Sequence, residues 1–196
     1  YDANRIWVVN VGDLKPMEFP IEFFLTLAWD PQRWPKAKID DYTLAWARRE
    51  FGPSHAAEIA DIVARYTKYN GRRKPELIDP TTFSLVNYRE ADRVLDEWKA
   101  IVNKAERIYE ALPDNARDAF FQLVFHPTKA SALVTDLYIT AGRNRLYAEQ
   151  KRASANELAQ RVRDLFQKDA ELSRYYNQEM AGGKWNHMMD QTHIGY

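Results

Sequence analysis

The sequence predicts a mainly α protein, a bundle of about five to seven helices with a βα unit ahead of it. Three observations carry that prediction. Residues 94–112 place Val94, Leu95, Trp98, Ile101, Val102, Ala105, Ile108, Tyr109 and Leu112 along one seam. Its period of roughly 3.5 residues is that of a helix packed in a bundle. Further stretches of helical period are joined by short connections containing Gly, Pro, Asn or Asp, so successive helices should pack as antiparallel neighbours. The run Ile6-Trp7-Val8-Val9, with Val11 beyond Asn10, is β-branched and aromatic almost throughout. A strand covered on both faces, as in a parallel sheet flanked by helices, has that character.

In chain order, the strand should end in a polar loop holding Asn10, Gly12, Asp13 and Lys15, and Pro16 and Pro20 stiffen the entry to a helix over residues 21–29. That helix is apolar apart from Glu22 and Thr26 and should be buried against the strand. Residues 30–38 form a linker punctuated by Pro31 and Pro35 and carrying Trp34. Asp40 suits the N-cap of a helix over 41–51. Gly52-Pro53-Ser54 separates it from a helix with Ile59, Ile62, Val63 and Tyr66 on one face, which Gly71 should close as a C′ glycine. Residues 71–86 read as irregular. Asn87-x-x-Glu90 resembles a capping box in front of the long helix. Pro113-Asp114 breaks the chain, and a shorter helix with Phe120, Leu123 and Val124 should end at His126-Pro127. The next holds Leu133, Val134, Leu137, Tyr138, Ala141 and Leu146. Ser154-x-x-Glu157 forms a second capping box, for a helix with Leu158, Val162, Leu165 and Phe166, and a last short helix spans 171–180.

Composition narrows the function. Twenty-eight basic and 28 acidic side chains cancel, so the basic footprint of a nucleic-acid binder is missing. No stretch is apolar enough to span a membrane. With no cysteine there are neither disulfides nor thiolate metal sites. Aromatics reach 13%, and although Trp and Tyr stack well on sugar rings, most are expected in the core. Glycine-rich phosphate loops and serine-hydrolase elbows are absent, so nucleotide cofactors have no support.

Several blocks carry a resemblance: Arg5-Ile6-Trp7-Val8-Val9-Asn10-Val11-Gly12-Asp13-Leu14-Lys15-Pro16-Met17-Glu18 with Pro20-Ile21-Glu22-Phe23-Phe24-Leu25, then Tyr69 to Leu77, Asn87 to Ala91, Asn144 to Ala148, and Lys184-Trp185 with His187 to Tyr196. Together they resemble glycoside hydrolase family 115, the xylan α-1,2-glucuronidases. The resemblance implies that residues 1–38 are the terminal βα segment of a (β/α)8 catalytic barrel, 39–182 a helical bundle, and 183–196 a tail leading to a further domain. It implies hydrolysis of glucuronic acid or its 4-O-methyl ether from glucuronoxylan, with inversion, no organic cofactor, and a periplasmic or extracellular location. A homodimer is compatible with it, and neither a nucleic acid nor a membrane partner is expected. The alternative is a non-catalytic helical module for oligomerisation or polysaccharide binding. Against it, a free-standing bundle has no use for a solitary buried strand.

Asn10 and Asp13, at the carboxyl end of the strand, are candidate catalytic residues, because loops there converge on the mouth of a (β/α) barrel. Lys15 would face the glucuronate carboxylate. The bland reading is a strand-end turn with a solvated lysine. Glu18 and Glu22 read as helix-entry residues, so the principal acid and base are expected outside this chain. His187-x-x-Asp190-x-x-His193 has the residue types of a metal site, but no metal is assigned to it. A tail folded back to hydrogen-bond sugar and purely structural bonding both remain open. Trp34, Arg72, His187, Asp190 and His193 complete the substrate-binding candidates. For Arg72, an Arg–Glu pair pinning the loop is the favoured reading. His55 and His126 read as structural.

Overall fold

The computed structural model describes residues 4–195. Among them the regular structure is helical and there is no β-strand. Residues 4–17 run as irregular chain, with Ile6 80%, Val8 90% and Val9 50% exposed. The buried strand expected at residues 6–11 is not seen among the described residues. Strand formation needs a neighbouring ladder for the backbone N–H and C=O groups, and no other described segment supplies one. The helix behind it, α1 (Glu18–Trp29), likewise has no fully buried residue, and Trp29 is 92% exposed. Trp7 leans on Phe24 with ring centroids 5.7 Å apart.

The chain divides after Ala64 into two compact units, and the division falls inside one helix. In the first unit, α2 (Ile39–Phe51) buries Tyr42, Trp46, Ala47 and Phe51 at helical spacing. Phe19 of α1 meets Trp46 edge to face at 4.7 Å, and Phe23 meets Tyr42 at 4.9 Å. Arg49 grips both oxygens of Glu22, at 2.8 and 2.5 Å, and Tyr42 donates to the same carboxylate. Arg49, ahead of Tyr42, holds the Glu22 carboxyl below its usual range, while burial raises the Tyr42 phenol. The helix begins at Ile39 rather than after Asp40, with no side-chain cap. Gly52 closes it at φ 81°, where other residues are strained.

The division lies in α3 (Ala56–Asn70). Gly71 closes this helix by donating to the Thr67 carbonyl, without the left-handed φ of a C′ glycine. The second unit is a bundle of α4 (Glu90–Ala111), α5 (Asp114–Phe120), α6 (His126–Glu149) and α7 (Ala155–Arg174). The seam read from residues 94–112 is its core: Val94, Trp98 and Ile101 pack with Tyr69, Ala91 and Ile139. Helix α6 packs most extensively on α7, and also on α4. Neither predicted capping box forms. Glu90 instead accepts the Ser84 N–H at 2.7 Å, and Ser154 takes the N-cap position of α7 without a side-chain bond.

The break expected at His126-Pro127 is not a break. Phe121–Phe125 form a π-helical turn that joins α5 to α6, and Tyr175–Glu179 form another that prolongs α7. Pro127 follows directly on the wider π turn, where the α-helical ladder that its missing N–H would have entered is already interrupted. The two π turns meet: Phe121 packs edge to face on Tyr175 at 5.0 Å, and His126 on Tyr176 at 4.8 Å.

Candidate functional site

Helix α7 sets Leu158, Leu165 and Leu172 at seven-residue intervals along its apolar face, and Asp169 falls in the same stripe. A carboxylate at such a position must find a partner, because an unpaired buried charge is costly. Asp169 is 6% exposed, and the tail supplies the partner: His193 Nε2 lies 2.7 Å from its Oδ2. The other ring nitrogen, Nδ1, is 3.1 Å from the Gln191 carbonyl. Both nitrogens therefore face acceptors, the arrangement that favours imidazolium. The Asp169 carboxylate accordingly raises the His193 pKa.

The rest of the tail is tied down in the same way. Asn177, 6% exposed on the second π turn, donates to Asp190 Oδ1 at 2.7 Å and accepts the Met189 N–H at 2.8 Å. The other oxygen of Asp190 meets His187 Nδ1 at 2.6 Å on the surface. Gly195 N–H donates to the Tyr138 hydroxyl at 3.1 Å. The tail thus returns along the bundle as a strap.

Under the strap lies a cleft of about 720 Å³, bounded by α6, α7, the turn at residues 74–77 and residues 188–193. His126, Ser131, Asp169 and His193 line it, together with Leu172 and Met188. Burial pushes His126 down to about 4, so it is neutral at ordinary pH; the nearby Asp169 opposes this and His193 adds to it. Among the described residues no hydrogen bond reaches its ring nitrogens; its neighbours are the rings of Phe121 and Tyr176. Ser131 Oγ accepts from Asn70 at 3.0 Å, leaving its own O–H to donate. No group of three or more His, Cys, Asp or Glu among the described residues is placed to hold a metal ion.

The remaining sequence candidates lie elsewhere. Asn10 folds its carboxamide back onto the Gly12 N–H at 2.9 Å, and Asp13 is exposed. Lys15 pairs with Glu18. Trp34 packs edge to face on Tyr42 at 5.3 Å, beside Glu22 and Arg49. Arg72 stacks over Tyr69 at 4.5 Å and pairs with Glu97 at 2.5 Å, an arrangement that pins the loop to α4. The structure therefore brings together His193 and Asp169, which the spacing pattern did not link, and sets His187 and Asp190 beside them on the strap. Sequence reasoning missed Asp169, Asn177, Ser131 and the placement of His126. Only Asp169 left a signal, as a charge in phase with the leucines of α7.

Residues 1–77 match the model of Glycosyl hydrolase family 115. No curated protein matches the chain. Among solved structures it is similar to a family GH115 4-O-methyl-alpha-glucuronidase, BtGH115A, described as having specificity for decorated arabinogalactans. The two share 25% identity and a TM-score of 0.74 over 94% of this chain. The chain spans about a quarter of that protein, 25% of its length. Residues 1–77 are thus similar in sequence to glycoside hydrolase family 115, and the fold over 94% of the chain is similar to that of a GH115 glucuronidase.

Proposed function

We propose that the chain is part of a glycoside hydrolase that removes glucuronic acid or 4-O-methylglucuronic acid from a glycan. The observation that carries this reading is the family match over residues 1–77, which includes the Asn10–Lys15 loop. Residues 4–17 would join the sheet of a catalytic (β/α)8 barrel as its last strand. The exposed apolar run Ile6–Val9 supports that, since such a surface calls for cover. Asn10 and Asp13 would then sit at the strand's carboxyl end and orient the sugar or the attacking water. Lys15 would approach the uronate carboxylate, and the principal acid and base would lie on other strands, spaced to admit water for inversion.

Two substrates compete. The sequence resemblance points to α-1,2-linked glucuronate on xylan, whereas BtGH115A is described as specific for decorated arabinogalactans. The test is release of 4-O-methylglucuronic acid by the intact parent enzyme from glucuronoxylan and from glucuronate-decorated arabinogalactan. Wild type is compared with Asn10→Ala and Asp13→Ala, with thermal melts as the folding control. A loss of ~10²-fold or more at an unchanged melt is expected, the worth of one positioned polar group. Near-normal turnover would make both residues scaffold, and no release from either glycan by wild type would sink the reading.

A further inference from the structure

We propose that the cleft beneath the strap is a binding site for a neutral, polyhydroxylated ligand, a short stretch of uncharged glycan. The chemistry of its walls is the argument. A buried polar group ordinarily has a hydrogen-bond partner, because leaving it unpaired costs free energy. His126 is 8% exposed, lines the cleft, and has no partner for its ring nitrogens among the described residues. As a neutral imidazole it presents one N–H donor and one lone pair. Ser131, also 8% exposed and on the same helix, adds a free O–H donor. A ligand that completes both must donate at one point of the cleft and accept at others, as a polyhydroxylated molecule does.

The charges exclude other classes. His193 is matched by Asp169, and Lys74 at the rim by Glu76 at 3.6 Å, so the cleft offers no surplus charge to an anion or a cation. Both nitrogens of His193 are turned to acceptors, so neither presents a lone pair to a metal. A purely apolar ligand would leave His126 and Ser131 unpaired. Leu172 of α7 and Met188 of the strap, which also line the cleft, suit the C–H face of a sugar ring. At about 720 Å³ the cleft falls in the range of small-molecule sites. The identification of the ligand as glycan, rather than another polyol, rests on the glucuronidase reading; the preference for neutral hydroxyls does not. On that reading the cleft would hold undecorated backbone, while the uronate goes to the barrel.

The protein has four histidines, so the ring-¹⁵N-histidine spectrum is simple enough to read site by site. It would be titrated with xylotriose, with β-1,3-galactobiose, and with glucuronic acid as the charged counter-probe. The expected result is that a neutral sugar shifts the His126 nitrogens and leaves those of His55 in place. Affinity should fall about tenfold or more in Ser131→Ala, the worth of one hydrogen bond to a buried group. In His126→Leu, which keeps apolar contact with Phe121 and Tyr176, the ligand signals should show the same loss. Should the leucine variant fail to fold, the wild-type titration and the serine variant still decide. Silence of His126 toward both neutral sugars overturns the proposal, as does tighter binding of glucuronic acid than of either. Release of 4-O-methylglucuronate by the parent enzyme is assayed separately. Sugar binding without release would sink the glucuronidase reading and leave the cleft assigned.

Discussion

Desolvation and pairing act on the two histidines of the cleft in opposite directions. Burial lowers His126 from 6.5 to about 4, so the unfolded chain binds its proton first. Its contribution to stability is complete above pH about 6.5 and is lost as pH falls toward 4, by about 3 kcal/mol at the lower end. His193 is raised by Asp169, so its contribution is complete below pH about 6.5 and fades as pH climbs through the folded pKa. His126→Leu should therefore flatten the acid limb of the Tm profile between pH about 6.5 and 4; a limb of unchanged steepness would contradict the burial account. Gly142 gives a second test at this scale. A Cβ there would stand 2.4 Å from the Pro80 carbonyl oxygen, a backbone atom with no side-chain freedom to yield. Gly142→Ala should cost about 1–3 kcal/mol in denaturant unfolding, as overpacking does. Nothing in the sequence marks that contact, because residues 80 and 142 meet only once the bundle is packed. Asp169 was more legible: a charge spaced four residues from Leu165 and three from Leu172 has to face what the leucines face.

Among elements, those with local causes were readable and those with distant ones were not. The helix over residues 90–111 is specified by its own apolar seam and formed as its spacing requires. Residues 6–11 have equally strong β-forming side chains, yet a strand is a property of a pair, and no described segment pairs with them. The capping boxes failed for a competing reason: Glu90 had a tertiary donor in Ser84, so its carboxylate turned away from its own helix end. The strap is only partly legible in the sequence, since its bonds join residues 177 and 190, and 169 and 193. Asn177 is the residue on which it hinges, serving two partners from a buried position. Asn177→Ala should free residues 184–195 before it unfolds the bundle. Trypsin would then cut after Lys184 well ahead of the bundle sites, and a cleavage pattern like that of wild type would refute this role.

For the molecule as a whole, zero net charge removes the long-range repulsion that keeps apolar surfaces apart in solution. Ile6, Val8, Val9 and Leu14 are exposed together in residues 4–14, which makes this segment the expected site of self-association. Val8→Lys should lower light scattering from the 196-residue chain without shifting its melt; equal scattering would move the cause elsewhere. The cleft belongs wholly to the second unit, and its two polar anchors on α6 owe their direction to the turn at Phe121–Phe125. A π turn carries one residue more than the α-helical turn it replaces, and one residue is about 100° of rotation. Excising a single residue from that turn would leave composition and apolar content nearly untouched, yet everything ahead of it would rotate by about that angle relative to His126 and Ser131. The site is in this respect a matter of phase, kept by a one-residue surplus in an otherwise continuous rod.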